Sequence, residues 1–65
     1  MKIDNLIKSA ISNIHYKRKE KKLSQKDLAL LIGCSDITIS NVESLKTIPS
    51  LELLKKICKV LEIEL

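Results

Sequence analysis

A chain of 65 residues makes one domain. A domain this small buries only about 60% of its unfolded surface, so a partner that adds burial adds stability. At 45% hydrophobic and 31% charged, with one glycine, one proline and no phenylalanine or tryptophan, the composition excludes disorder and disfavours turn-rich all-β folds. The net charge of +4 suits a polyanionic partner without requiring one. Two cysteines are too few for a disulfide scaffold, and no signal-peptide pattern or membrane-length apolar run is present. The expectation is a cytoplasmic protein with reduced thiols and no membrane partner.

In chain order, Ile3, Leu6, Ile7, Ala10, Ile11 and Ile14 recur at spacings of three and four, one face of a helix. With Asp4 as N-cap after Ile3, and good helix formers from Lys17 to Lys22, this predicts one long helix over about 5–21. Cations crowd its C-terminal end, where the helix dipole favours them. Ser24 then caps a second helix, with Asp27 three residues on as in a capping box. Leu28, Leu31 and Ile32 form its expected buried stripe, Ala29 allows close approach, and Gly33 suits a left-handed stop. Ser35 caps a third helix over about 36–43, with Ile39 and Val42 inward. After a connection ending at Pro49, Ser50 caps a fourth helix. Leu51, Leu54, Ile57, Cys58 and Leu61 lie on one side of it, and Leu53 and Val60 fall off that stripe. Alternation of Leu61, Ile63 and Leu65 leaves room for a short final strand.

Two short helices about a glycine turn have the form of a helix-turn-helix, whose second helix fits a DNA major groove. Ser24-Gln25, Leu28-Ala29, Gly33, Ser35, Ile39, Glu43, Pro49 and Leu54 fall in register within "LSQKDLALLIGCSDITISNVESLKTIPSLELLKKICKVL". On these residues, from about Ile14 to Leu61, the chain resembles the phage-repressor (Cro/XRE-type) helix-turn-helix family. The resemblance implies an all-α, lambda-repressor-like DNA-binding domain of four to five helices. Its parts would be an extended N-terminal helical segment over 1–22, a helix-turn-helix over 24–44 and a C-terminal helix over 50–61.

The implied function is sequence-specific binding of double-stranded DNA by a transcriptional regulator, with no enzymatic activity, cofactor or metal. The resemblance puts Ser35, Asp36, Ile37, Ser40 and Asn41 toward base edges. Asn41 pairs well with adenine and Ile37 with a thymine methyl. It puts Gln25, Ser44 and Lys46 on phosphates, and a helix N-terminus at Gln25 suits an anion. Arg18 and Glu43 match a structural salt bridge between the first and third helices.

Three departures from the family pattern stand out. Leu45 occupies a position where glycine is usual, and a left-handed leucine costs of the order of 1 kcal/mol. The recognition helix has no Arg or Lys and carries Asp36 at its exposed start. The given sequence ends at "VLEIEL", where the family commonly has a fifth helix that often makes the dimer contact. The expectation is a homodimer in which the apolar N-terminal extension, the "LEIEL" segment or both replace that contact. Such a dimer reads a near-palindrome and sits on the nucleoid when bound. The alternative is a protein-interaction module on the same fold, such as an antitoxin-like subunit, favoured by Asp36 and the cation-free recognition helix.

The remaining polar residues read as structural. Ser24 and Ser35 are caps whatever else they do. His15 is a surface or packing residue, and the cluster Lys17, Lys19, Lys21 and Lys22 is a solvated face. Cys58 is a core residue, and Cys34 sits in the turn without the ligands a zinc site needs. No catalytic arrangement of serine, histidine and carboxylate is present.

Overall fold

The first apolar stripe folds as expected into a long helix, α1 (Lys2–Glu20), in the computed structural model, which describes residues 2–64 and their side chains from Asn5 to Glu64. Three shorter helices follow: α2 (Gln25–Ile32), α3 (Asp36–Glu43) and α4 (Leu51–Leu61). There is no strand among the described residues, and no described helix is long and apolar enough to cross a membrane. Helix α1 begins before Asp4, so that residue is helical rather than a cap. The side chains of Ile3 and Asp4 lie outside the described residues.

Each helix gives two aliphatic side chains to a common core: Ile11 and Ile14, Leu28 and Ala29, Ile39 and Val42, Ile57 and Leu61. Burying one large aliphatic side chain is worth roughly 1.5–3 kcal/mol, so this core carries most of the favourable energy. Two expected core positions are corrected. Leu31 is exposed, because at about 100° per residue it falls well off the face shared by Leu28, Ala29 and Ile32. Leu51 is exposed at the first turn of α4, while Leu53 and Val60 pack partly against the core.

Serines start three of the helices. Ser24 Oγ accepts from the amide of Asp27 (2.9 Å) and the Asp27 carboxylate accepts from the amide of Ser24 (3.0 Å), a complete capping box. These bonds hold the Asp27 carboxyl below its ordinary range, the backbone amide of Ser24 contributing most. Ser35 and Ser50 accept in the same way from Thr38 and Leu53.

All four helices stop on a left-handed residue: Lys22 (φ 60), Gly33 (φ 90), Leu45 (φ 65) and Glu62 (φ 60). Past α1, α3 and α4 the chain closes the paired bonds of a Schellman turn. For α4 these are Glu62 N–H to the Lys59 carbonyl (3.3 Å) and Ile63 N–H to the Cys58 carbonyl (2.8 Å). That turn takes the place of the short strand for which the alternation of Leu61 and Ile63 left room. It folds Ile63 back against the core instead of extending it, and Leu65 lies outside the described residues.

Candidate nucleic-acid interface

The helix-turn-helix pair α2 and α3 is joined by Gly33, Cys34 and Ser35. Gly33 donates its amide to the Ala29 carbonyl (2.8 Å), and Cys34 donates to the same oxygen (3.0 Å) while packing against the core. At φ 90 only glycine sits without backbone strain.

Ile39 and Val42 hold α3 against the core. At about 100° per residue, Ile37, Ser40 and Asn41 then cluster around the opposite, outward direction. Ile37 is 67% exposed, Ser40 is exposed and Asn41 is half-buried. Asp36 is exposed at the edge of that face, in the first turn. Ser35 is tied into the cap: its Oγ accepts from Thr38 N–H (3.2 Å) and lies 2.9 Å from the Thr38 hydroxyl. The structure thus brings Ile37, Ser40 and Asn41 together and sets Ser35 and Asp36 at the helix start. Beyond α3, Ser44 Oγ donates to the Asn41 carbonyl (3.3 Å) and Lys46 is exposed. Leu45 is indeed left-handed, so the turn has not adjusted to its side chain, which lies beside Ile7 and Ile48.

Gln25 is the first residue of α2 and is half-buried. The first intrahelical bond runs from Leu28 N–H to the Ser24 carbonyl, so the amides of Gln25 and Lys26 precede it and point to the helix N-terminus. Gln25 Nε2 donates to Glu43 Oε1 (3.2 Å), which ties the start of α2 to the end of α3.

Glu43 is the hub of this tie. Its side chain is 5% exposed. Arg18 Nε donates to Oε2 (2.7 Å) and Arg18 Nη2 to Oε1 (3.0 Å), a two-pronged pair between α1 and α3. Arg18, itself buried, also donates Nη1 to the Leu23 carbonyl (2.7 Å). His15 Nδ1 lies 2.9 Å from Glu43 Oε1. Burial pushes the Glu43 carboxyl up, but the hydrogen bonds from Arg18, His15 and Gln25 outweigh it and hold the group below its ordinary range. No buried side-chain nitrogen or oxygen among the described residues lacks a partner.

Sequence reasoning missed His15 and Gln25 as members of this network. Spacing held a signal for the first: His15 is three residues before Arg18, hence beside it on the helix. Nothing in the spacing points Gln25 at Glu43, which lies on another helix.

A helix-turn-helix family model matches residues 14–65, most of the chain. No curated protein and no solved structure matches it. With an all-helical fold and α2 and α3 set about the Gly33 turn, the chain belongs to the Cro/XRE-type helix-turn-helix family of DNA-binding regulators.

Proposed function

We propose that the protein is a repressor that binds a near-palindromic operator as a homodimer, working in the cytoplasm on nucleoid DNA. The observation that carries this reading is the outward face of α3, where Ile37, Ser40 and Asn41 stand opposite core-facing Ile39 and Val42. In a major groove, Asn41 pairs with adenine and Ile37 meets a thymine methyl. Ser35 and Asp36 approach bases from the helix start, where a carboxylate accepts from a cytosine amino group. Gln25, Ser44 and Lys46 hold the flanking phosphates and set the register. Repression is steric, by occupation of the operator.

Dimerisation is supported by apolar side chains that the fold leaves in solvent. Ile48 is 69% exposed and lines a groove with Ile7, Ala10 and Leu54, and Leu6, 72% exposed, lines a second groove that shares Ala10 and Leu54. Pairing two copies there removes this surface from water.

The test is selection of binding sites from random duplex DNA, followed by titration of the enriched site at several salt concentrations. A two-fold-related site, bound far more tightly than scrambled DNA and with a steep salt dependence, supports the reading. Weak, salt-labile binding with no enriched sequence refutes it. A second reading, an antitoxin-like module that docks a protein, draws on three exposed aliphatics of the helix-turn-helix, Leu30, Leu31 and Ile37. It requires that the α3 face carry a partner in place of DNA.

A further inference from the structure

His15 lies beside Glu43, the last residue of α3, with one ring nitrogen committed and one free. An ionised carboxylate only accepts, so the 2.9 Å contact with Glu43 requires that Nδ1 carry the hydrogen. Arg18 Nη2, 3.4 Å from the same nitrogen, is a donor only, and its bond goes to Glu43. Glu43 therefore fixes the tautomer: in the neutral ring Nε2 holds a lone pair, and in the protonated ring it holds a second N–H. Nε2 makes no hydrogen bond among the described residues, and the side chain is 52% exposed.

The surroundings favour an anion at that nitrogen. Lys8, Ser12 and His15 follow one another at spacings of four and three on one flank of α1, and they line an open groove that reaches Glu43 and Leu45. The charged groups around His15 come from two helices. On α1 they are Lys8, Arg18 and, one turn further on, Lys19. On α3 the group is Glu43, while α2 contributes only uncharged Gln25 to the network. Glu43 is already paired with Arg18, so Lys8 leaves positive charge facing the groove. The same carboxylate that orients His15 also holds Gln25, the residue assigned to a phosphate at the start of α2.

We propose that His15, with Lys8 and Ser12, extends the phosphate-contacting surface from α2 onto α1, and that His15 Nε2 donates to a DNA phosphate in the protonated state. The proposal rests on the DNA-binding reading above. Protonation leaves the Nδ1–Glu43 bond intact and turns a lone pair that repels phosphate into a charge-assisted donor. The imidazolium is then held between a carboxylate and a phosphate. DNA affinity rises as pH falls, because the bound complex holds a proton on the ring that the free protein exchanges with solvent.

The experiment measures affinity for a selected duplex by fluorescence anisotropy at constant ionic strength, between about pH 8.5 and pH 5.5, a range that spans histidine titration. Wild-type protein, His15→Gln and Lys8→Gln are compared, with folding checked by circular dichroism at each pH. Wild-type affinity is expected to rise about tenfold or more toward low pH, the scale of one hydrogen bond to a charged group. His15→Gln, whose amide can still donate to Glu43, is expected to bind with a flat pH profile. At low pH its salt dependence should be shallower than the wild type's by about one phosphate contact. Lys8→Gln should bind more weakly at every pH and keep the wild-type slope. Specific binding with no pH dependence, or a His15→Gln profile that follows the wild type, overturns the proposal while leaving the DNA reading intact. Absence of binding to any duplex at either pH overturns both.

Discussion

Replacing Arg18 with methionine keeps a long, flexible side chain and removes every bond of the guanidinium. In the folded protein that leaves Glu43 Oε2 with no donor, Oε1 with only His15 and Gln25, and the Leu23 carbonyl without its side-chain partner. Glu43 stays 5% exposed at its side chain, so water repairs little of the loss. Removing one partner of a buried pair costs about 3–5 kcal/mol. A 65-residue domain has roughly 3–10 kcal/mol of stability in all, at about 0.05–0.15 kcal/mol per residue. Arg18→Met should therefore lose at least about a third of the domain's stability, and nearly all of it at the lower end of that range. The double variant Arg18→Met/Glu43→Leu removes the orphaned charge and should recover most of the loss.

The pH dependence provides a second readout. In the wild type the Glu43 carboxyl is depressed, so its contribution is present above its unfolded value and lost as pH falls through the folded one. Without Arg18 the carboxyl loses the hydrogen bonding that lowers it most and the attraction of the guanidinium, so it is held down less than in the wild type. The variant therefore loses less stability than the wild type as pH falls, and its deficit shrinks in acid. Urea unfolding followed by far-ultraviolet circular dichroism at several pH values measures all of this. A single variant within about 1 kcal/mol of wild type, or a double variant no more stable than the single, would refute the reasoning.

Other outcomes follow from single residues. Asn41→Ala should cost about 1–3 kcal/mol of discrimination at one base pair and leave binding to other sequences nearly unchanged, read by competition with single-site operator variants. Ser24→Ala should lower stability by about 1 kcal/mol through loss of the capping box, measured as a shift in urea midpoint. In the wild type the Asp27 half of that box fades in acid, as pH falls through its depressed value. Lys22→Gly should raise stability by roughly 0.5–1 kcal/mol, because relief of the left-handed conformation exceeds the added entropy of the unfolded chain. Leu45→Gly should gain less, since Leu45 also packs in the groove beside Ile7 and Ile48. Thermal melts of both variants measure the difference.

Period and caps made most of the fold legible in advance. A 3.6-residue repeat of aliphatic positions, with serines before three of the helices and a glycine after one, dictates four helices whatever their packing. Inward Ile39 and Val42 likewise imply an outward face made of Ile37, Ser40 and Asn41, because a helix has one geometry. At the final residues, Leu61, Ile63 and Leu65 alternate as a strand does and leave one possible, while a left-handed Glu62 reverses the path. Glutamate, lysine and leucine carry no local signal for that conformation. Lys22, Leu45 and Glu62 adopt it because the turns return the chain to a shared core.

Leu31 and Leu51 show the same division. Both are aliphatic and near an apolar stripe, and both are exposed because neighbouring helices cover a narrower arc than hydropathy suggests. The helices, most of their caps and the outward α3 residues are local properties, legible from neighbours within four positions. It took the packed helices to bring His15 and Gln25, from two different helices, onto the buried carboxylate that the family resemblance had paired with Arg18. Such convergence is a long-range electrostatic fit, set when the helices pack and each charge leaving water must find its partner.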